Sequence, residues 1–369
     1  MENILDIVIE NLTEQWSNFS NICNGTLKNN NPACDKYEND ITYDRDLIEK
    51  IVSVIVPVFF GMIGILGLIG NTLVVIVVAA NPGMRSTTNI LIINLAVADL
   101  LFVIFCIPFT ATDFVLPYWP FGNIWCKIVQ YLIIVTAYAS VYTLVLMSLD
   151  RYLAVVHPIT SMSWRTENNA ILAIGIAWAV IFALSTPALV IHGEIHFVFQ
   201  DMEDWSSENL TACRILPQYD WSFFQVSFFL TSYLLPLTLI CVFYVCMLVR
   251  LWRGARVSAE SRRGRRRVTR LVLVVVGVFA ICWCPIQVIL VTKSLDAYPL
   301  RSVTIIIQIV SHILAYTNSC VNPILYAFLS DNFRKAFRKI IYCRSRQDHQ
   351  QRSGPITRTT RAASTGDIL

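Results

Sequence analysis

Charged side chains are scarce in this chain. Asp, Glu, Lys and Arg make up 15% of its 369 residues, whereas hydrophobic residues make up 55%. A soluble domain carries about 25% charged residues. So much apolar surface excludes a purely soluble enzyme and a disordered chain. The 11 cysteines are also too few, and too often inside apolar runs, for a small disulfide-stapled secreted domain.

Several other features are missing. Residues 1–50 are polar and contain acids, so we expect no signal peptide and predict that the first span directs its own insertion. The chain has no internal repeat, which argues against a transporter. It also lacks the HExxH zinc motif and paired membrane acids, which argues against a membrane protease. We therefore predict no enzymatic activity and no nucleic-acid partner.

Long apolar runs dominate instead. A helix needs roughly 20 apolar residues to cross a bilayer. Six runs lack Asp, Glu, Lys and Arg, and a seventh contains only Asp99. In chain order they are Ile51 to Ala80, Ile90 to Thr112, Ile128 to Leu149, Asn168 to Ile191, Trp221 to Val249, Leu271 to Thr292 and Ser302 to Ser330. Lipid cannot satisfy free backbone groups, so each run should be helical. The sequence predicts an all-α membrane protein, a bundle of seven transmembrane helices.

Basic residues predict the orientation of the bundle. Arg85, Arg165 and nine arginines between Arg250 and Arg270 all fall on one side of the predicted membrane. That side should be cytoplasmic, which places the N-terminus outside a multi-pass plasma-membrane protein. Four N-glycosylation sequons fall on the opposite, outer side: Asn11, Asn18, Asn24 and Asn209.

The runs divide the chain into four parts. We expect a glycosylated outer segment at 1–50, the bundle at 51–330, an amphipathic eighth helix on the inner leaflet at 331–343, and a disordered cytoplasmic tail at 344–369. In the third part, apolar residues recur at helical spacing opposite Arg and Lys. Cys343 at its end is a candidate for palmitoylation, and an unmodified cysteine is the alternative.

Four cysteines lie outside or at the outer rim, where disulfides form: Cys23, Cys34, Cys126 and Cys213. Four cysteines allow three pairings. We favour Cys126 with Cys213, which would tie the third span to the second outer loop. Cys23 with Cys34 would then close a small loop, and two unpaired cysteines in that segment are an equal alternative.

Polar residues inside the spans require a reason, because they are costly in lipid. Asp99 is either a neutral carboxyl hydrogen-bonded between helices or part of a cation site. Ser140, Asn318 and Asn322 on other spans carry oxygen atoms that suit a hard cation. Prolines bend five spans and so predict a cavity and hinges: Pro108, Pro187, Pro236, Pro285 and Pro323.

An ordered set of motifs, one or more per span, resembles the rhodopsin-like (class A) G-protein-coupled receptors over roughly residues 50 to 343. The set comprises Gly70-Asn71, Leu95 to Leu100, Trp119 to Gly122, Asp150-Arg151-Tyr152, Trp178, Pro236 with Tyr244, Phe279 to Pro285, and Asn322 to Tyr326. The runs at 88–99 and 320–334 are similar to the galanin, allatostatin-A and somatostatin receptor group. The run at 114–122 most resembles arthropod allatostatin-A receptors, which recognise peptides ending in Phe-Gly-Leu-amide.

The resemblance implies roles for individual residues. Asp99, Ser140, Asn318 and Asn322 match the family's sodium pocket, and sodium is the only bound ion or cofactor we expect. Trp283 and Phe279, with the kink at Pro285, match the switch beneath the ligand cavity. The residues that match the inner rearrangement are Asp150, Arg151, Tyr152, Tyr244, Asn322, Pro323 and Tyr326. Because 265–267 is Arg-Arg-Arg, no acid at the start of span six can hold Arg151, and we expect Asp150 alone to do so.

The ligand site is predicted to be largely uncharged. Ile133 stands where amine and somatostatin receptors carry an Asp, so this position offers no carboxylate to pair with the ammonium of an amine ligand. The seventh span has no Lys for a retinal Schiff base. The expected lining is Phe114, Trp119, Gln130, Tyr131, Ile133, Gln287, Gln308 and His312, with Lys293 higher, at the third outer loop. Such a pocket favours a peptide with an amidated C-terminus.

The resemblance also implies partners. We predict an outer peptide ligand, a heterotrimeric G protein of the inhibitory Gi/o class, arrestin and a receptor kinase acting on the tail, and membrane lipid. A galanin-like, somatostatin-like or other peptide is the alternative ligand. A membrane transporter is the remote alternative function.

Overall fold

The computed structural model describes residues 32–84, 86–116, 118–200, 207–253, 259–299, 302–329 and 333–336. The sequons at Asn11, Asn18 and Asn24, the cysteine Cys23, the lipidation candidate Cys343 and the tail at 344–369 lie outside these residues.

The prediction of seven membrane spans is confirmed. Within the described residues, seven helical units are long and apolar enough to cross a membrane. These spans 1 to 7 run over Val52–Ala80, Thr87–Val115, Gly122–Val156, Glu167–Ile191, Trp221–Arg250, Val272–Ser294 and Val303–Phe328.

The helices and strands that build the spans and loops follow each other in chain order. They are α1 (Pro32–Ala80), α2 (Thr87–Phe105), α3 (Ile107–Val115), α4 (Gly122–Val156), α5 (Glu167–Ser185), α6 (Pro187–Ile191), β1 (His192–Gln200), β2 (Ser207–Ile215), α7 (Trp221–Phe229), α8 (Leu235–Arg253), α9 (Ala259–Ser294) and α10 (Ser302–Leu329).

Two helices extend beyond the expected membrane boundaries. Helix α1 begins at Pro32, so it continues into the segment that we expected to precede the bundle. Helix α9 begins at Ala259, so the basic run at 262–267 belongs to a helical extension at the start of span 6 rather than to a loop.

Prolines interrupt three of the five spans in which the sequence predicts a bend, whereas Pro285 and Pro323 lie inside the continuous helices α9 and α10. Span 2 breaks at Cys106, and Pro108 lies in the first turn of α3. Span 4 breaks at Thr186, ahead of Pro187. In span 5, the wider π-helical turn Leu230–Leu234 separates α7 from α8, just before Pro236. Each break follows from the backbone hydrogen bond that proline cannot donate.

The second outer loop is a β-hairpin, which the sequence analysis did not predict. Strands β1 and β2 pair antiparallel, with His192 opposite Ile215 and Gln200 opposite Ser207. The base of the hairpin is closed by the Leu216 N–H, which donates to the Ile191 carbonyl over 2.8 Å.

Buried amides join the spans across the bundle. Asn71 Nδ2 on span 1 donates to the Ser319 carbonyl on span 7 over 2.8 Å. Trp178 Nε1 donates to Asn94 Oδ1 over 2.8 Å, and Asn94 Nδ2 donates to Thr143 Oγ1 over 2.7 Å. These bonds fix spans 1 and 7, and spans 2, 3 and 4, against each other.

Among the described residues, the apolar core divides into three clusters, of which an outer and an inner one are the largest. The outer cluster includes Phe102, Ile133, Ile286 and Tyr316. The inner cluster includes Leu144, Tyr244, Phe279 and Tyr326, and Trp283 packs against both. The side chain of Trp283 therefore lies between the half of the bundle that carries the hairpin and the half that carries Asp150.

Candidate functional site

A small pocket opens in the outer half of the bundle, between span 2, the first outer loop and span 3. It brings together four residues of the predicted ligand site: Phe114, Trp119, Gln130 and Ile133. Phe109, Thr110, Asp113 and Val129 complete the lining. Gln130 is buried, and its Nε2 has only the Cys213 sulfur as a partner, at 3.7 Å. The pocket is therefore mostly apolar with a few polar groups, as ligand sites usually are.

Three more predicted residues form a buried polar cluster on spans 6 and 7. Gln287, Gln308 and His312 are 2%, 0% and 1% exposed. Among the described residues, neither Nε2 nor Oε1 of Gln308 has a hydrogen-bond partner, and neither does Gln287 Oε1 or His312 Nε2. The His312 ring contacts Phe114 edge-on, at 5.3 Å between ring centroids, and so connects this cluster to the pocket.

Unpartnered buried groups of this kind are costly. A buried polar atom without a hydrogen bond costs about 1–3 kcal/mol. A fully buried glutamine that leaves both its donor and its acceptor unused is therefore a candidate ligand-binding group. It suits a ligand that both accepts and donates a hydrogen bond at the same place.

The structure corrects the placement of Lys293. We expected this residue high at the third outer loop, but it is 9% exposed and within electrostatic range of His312. Helix α9 continues to Ser294, so Lys293 lies in its last turn instead of in a loop. Lys293 is engaged in an interaction of its own.

Tyr131 is separated from the other predicted ligand residues. Its hydroxyl donates to the Phe182 carbonyl on span 4 over 3.3 Å, and its ring packs against the cluster formed by spans 3, 4 and 5. Consecutive helical residues point about 100° apart. Tyr131 therefore faces span 4, whereas its neighbour Gln130 faces the pocket.

An ion pair at the pocket was missed by the sequence reasoning. Asp113 Oδ2 lies 3.7 Å from Nη1 of Arg214, and both side chains are largely buried. Asp113 was not considered because it comes one residue after the apolar run that ends at Thr112. Extending the predicted helix by one turn past Thr112 would have included Asp113, since helix α3 continues to Val115.

The hairpin is fixed to the first outer loop and to span 3 above the pocket. Cys126 and Cys213 form a disulfide, the pairing that we favoured. The Trp119 N–H donates to the Thr211 carbonyl over 2.7 Å, and Thr211 Oγ1 donates to the Trp119 carbonyl over 3.0 Å. The Glu194 N–H donates to Asn123 Oδ1 over 3.1 Å.

Below the pocket lie the residues that match the family's switch. Phe279 and Trp283 are 5.9 Å apart between ring centroids, and Tyr233 stacks against Phe279 at 6.5 Å. The Tyr233 hydroxyl donates to the Ala280 carbonyl over 2.8 Å, one turn before Pro285. Span 5 and span 6 thus meet through these side chains near Pro285.

Asp99 is buried at the centre of the bundle. Asn322 Nδ2 donates to its Oδ2 over 2.9 Å. Among the described residues, Asp99 Oδ1 accepts no hydrogen bond, and neither do the side-chain oxygens of Asn71, Asn318 and Asn322. Ser140 is also buried. These oxygen atoms suit a sodium ion. The nearby Thr136 hydroxyl donates to the Leu132 and Ile133 carbonyls of its own helix.

The inner end of span 3 carries a network of charges. Asp150 Oδ2 accepts a hydrogen bond from Arg151 Nε over 3.0 Å and one from Thr88 Oγ1 over 3.0 Å. Arg165 Nε donates to Asp150 Oδ1 over 2.7 Å. Nη2 of Arg151 also bonds Thr88. The expectation that Asp150 alone restrains Arg151 is therefore wrong, because Thr88 and the second inner loop take part.

Three tyrosines surround this network. Tyr244 is buried within electrostatic range of Arg151. Tyr152 packs against Phe243, at 5.4 Å between ring centroids. Tyr326, at the end of the motif that begins Asn322-Pro323, stacks on Phe333 at 5.6 Å. Residues 333–336 are helical, with Phe333 and Ala336 buried and Arg334 and Lys335 exposed, and the rest of the predicted eighth helix lies outside the described residues.

Comparison with known proteins identifies the class of protein that this arrangement defines. Residues 70–326 match the family described as 7 transmembrane receptor (rhodopsin family). The chain belongs to this family of multi-pass plasma-membrane proteins, so it is a receptor rather than an enzyme.

Three receptors of this family are similar to the chain over most of its length. The chain is 60% identical to the allatostatin-A receptor of Bombyx mori over 338 residues, 90% of this chain and 88% of the relative. It is 40% identical to human galanin receptor type 1 over 307 residues, 82% of this chain and 84% of the relative. It is 37% identical to human galanin receptor type 2 over 325 residues, 86% of this chain and 80% of the relative.

Proposed function

We propose that the chain is a neuropeptide receptor for a C-terminally amidated, allatostatin-A-like peptide and that it activates a heterotrimeric G protein. The likeness to an allatostatin-A receptor over 90% of the chain supports the peptide class. The chemistry of Gln308 supports the amide.

Gln308 carries the argument for an amide. Its donor and its acceptor are both buried and unpartnered among the described residues. A terminal carboxamide offers one acceptor and one donor, so it satisfies both atoms. A carboxylate offers only acceptors, so it leaves Gln308 Oε1 facing a negative charge without a partner.

The test compares one peptide as amide and as free acid on the wild-type receptor and on Gln308→Leu. The wild type should prefer the amide by roughly 10- to 100-fold, the equivalent of about 1.5–3 kcal/mol. Gln308→Leu should lower amide potency and reduce this preference to within about threefold. Ser311→Ala is the matched control, because the Ser311 hydroxyl bonds the Ile307 carbonyl of its own helix over 2.6 Å.

Lys293 supplies a second arm of the same test. A buried ammonium near His312 would favour a free acid, whereas Arg214 at the pocket is already paired with Asp113. If Gln308 sets the preference, Lys293→Gln leaves amide potency within about threefold and weakens the free acid further. Equal potency of both forms on the wild type, with loss of the acid's activity in Lys293→Gln, would assign recognition to Lys293 instead.

We further propose inhibitory Gi/o coupling through Arg151, with the N-terminus outside the cell. Likeness to galanin receptors and the basic start of α9 support this coupling, because the end of a G-protein helix carries negative charge. Peptide should then lower cyclic AMP in cells. A rise in calcium with unchanged cyclic AMP would point to a different G protein.

Sodium, lipid, glycans and arrestin are part of the same proposal. Asp99, Ser140, Asn318 and Asn322 would hold sodium and stabilise the inactive arrangement. Cys343 would carry palmitate, and the sequons would carry glycans.

Phosphorylation of the Ser- and Thr-rich tail by a receptor kinase would recruit arrestin. Truncation after Arg346 should leave G-protein signalling intact and slow internalisation, and unchanged internalisation would refute the role of the tail.

A further inference from the structure

Thr211 belongs both to a glycosylation sequon and to a contact between two loops. It is the hydroxyl residue of the sequon Asn209-Leu-Thr211. It is also the residue through which strand β2 meets the first outer loop. The carbonyl of Thr211 accepts from the Trp119 N–H over 2.7 Å, and its hydroxyl donates to the Trp119 carbonyl over 3.0 Å. These two hydrogen bonds form a closed pair, which we call the Trp119–Thr211 clasp.

The clasp acts on the ligand pocket because Trp119 lines it. Trp119 is 3% exposed, and its indole Nε1 donates to the Gly122 carbonyl over 3.0 Å. Its ring also contacts Phe121 at 5.0 Å between centroids. The position of the Trp119 side chain is thus set within its own loop, and the position of its backbone is set by Thr211. Loss of the clasp would let the loop and the hairpin move relative to each other.

The disulfide alone does not supply this constraint. Cys213, which comes two residues after Thr211, is bonded to Cys126. Successive strand residues point to opposite faces, so Thr211 and Cys213 point to the same face of β2. Two attachments on one face, to the first outer loop and to span 3, fix the hairpin against rotation about the disulfide. Asn209 pairs with Val198 further along the hairpin.

We propose that Thr211 is a positioning residue for ligand binding, and that this role is independent of any glycan on Asn209. The hydroxyl of Thr211 holds the Trp119 carbonyl and thereby the wall of the pocket. The proposal rests on the proposed function in one respect, since it places the peptide in this pocket.

Three substitutions in the full-length receptor separate the two roles. Asn209→Gln removes the sequon and keeps the hydroxyl. Thr211→Val removes both with almost no change in side-chain shape. Thr211→Ser keeps both. Surface amount, gel mobility before and after glycosidase, and potency of an amidated peptide ending in Phe-Gly-Leu are measured for each.

We expect Thr211→Val to lower peptide potency about tenfold, because a buried carbonyl loses its donor. Asn209→Gln and Thr211→Ser should stay within about twofold of the wild type at matched surface amount. If Thr211→Val and Asn209→Gln both keep the potency of the wild type, the positioning role is overturned. If both variants lose potency equally, the effect belongs to the glycan, and the positioning role is overturned as well.

A readout without ligand distinguishes this proposal from the proposed function. Amide hydrogen exchange of the purified receptor should be faster over residues 118–126 and 211–216 in Thr211→Val, and unchanged in Asn209→Gln. If the wild type ignores the peptide, the proposed function fails, and exchange still decides whether the clasp exists. Unchanged exchange in Thr211→Val would refute the clasp. Faster exchange with full peptide potency would refute its role in binding.

Discussion

The Gln308 cluster at the outer end of the bundle and the Asp150 network at the inner end differ in how far their hydrogen bonds are satisfied. At the outer end, Gln308, Gln287 and His312 keep polar atoms that no described residue satisfies. At the inner end, Asp150 binds Thr88, Arg151 and Arg165 at once. Within the described residues the Asp150 carboxylate is fully hydrogen-bonded, although the nearby Ser161 and Tyr326 hydroxyls have no partner, whereas Gln308 leaves both its donor and its acceptor unused.

This difference agrees with the two tasks of a receptor. The hydrogen-bonded Asp150 network is stable in the resting arrangement, because breaking it would leave a buried charge uncompensated. An outer end with unpartnered groups gains free energy when a ligand supplies the missing hydrogen bonds. Trp283, which packs against both apolar clusters, is placed to connect the two ends. Ligand binding can shift the population of states only by its differential affinity for them.

The largest effect should come from Arg151. We expect Arg151→Ala to reduce peptide-stimulated guanine-nucleotide exchange more than tenfold, because the variant lacks the charge-assisted contacts to the G protein, worth about 1.5–3 kcal/mol. Peptide binding at the outer end should persist. Full exchange activity in this variant would show that the inner network does not transmit the signal.

A smaller effect should follow loss of the Asp99 carboxylate. If sodium binds there, it should lower the affinity of the wild type for agonist about fivefold, which is a coupling of about 1 kcal/mol. Asp99→Asn should abolish the difference between sodium and a larger organic cation at equal ionic strength. A sodium effect that survives Asp99→Asn would place the ion elsewhere.

Arg165 should act more weakly again. Its guanidinium holds Asp150 Oδ1 and so orients Oδ2 toward Arg151, but it is 26% exposed. We expect Arg165→Gln to raise exchange in the absence of peptide about two- to fivefold, in line with about 0.5–1 kcal/mol for a partly exposed pair. Ser163→Ala in the same loop is the control. Lower basal exchange in Arg165→Gln would mean that Arg165 competes with Arg151 instead of helping it.

His192 offers a contrast within the outer end, because its buried ring nitrogen does have a partner. Nδ1 lies 3.0 Å from the Ala188 carbonyl, and burial lowers the pKa of His192 to about 3. The unfolded chain, with a histidine pKa near 6.5, therefore binds more protons between these values, so stability falls as pH drops below about 6.5. Lowering the pH from about 8 to about 5.5 should decrease the free energy of unfolding of the wild type by about 1.4 kcal/mol more than that of His192→Gln. An identical pH dependence in the two proteins would contradict the burial of a neutral imidazole.

The sequence predicts where the spans lie better than it predicts which neighbours their side chains contact. Six charge-free runs and one run with a single acid, Asp99, locate all seven spans, since lipid disfavours ionised groups and unsatisfied backbone alike. They say nothing of rotation about the helix axis, so Tyr131 was assigned to the pocket although the periodicity of α4 turns it toward span 4. Helix ends are equally poorly defined by composition, and for this reason the burial of Lys293 was missed.

Contacts between distant segments were the least predictable part. The alternation of apolar residues in 192–200 is compatible with a strand, but only pairing with 207–215 makes it one. The Arg165–Asp150 contact depends on how the second inner loop folds back against span 3. The Trp119–Thr211 clasp joins two loops 92 residues apart, and no local pattern encodes it.

The most direct test of the account is peptide-stimulated nucleotide exchange by the purified wild-type receptor with a heterotrimeric G protein. An amidated allatostatin-A-type peptide and the same peptide as free acid are compared over a full concentration range. We predict stimulation by the amide at concentrations roughly 10- to 100-fold lower than those needed for the acid. Equal potency of the two forms, or no stimulation by either, would contradict it.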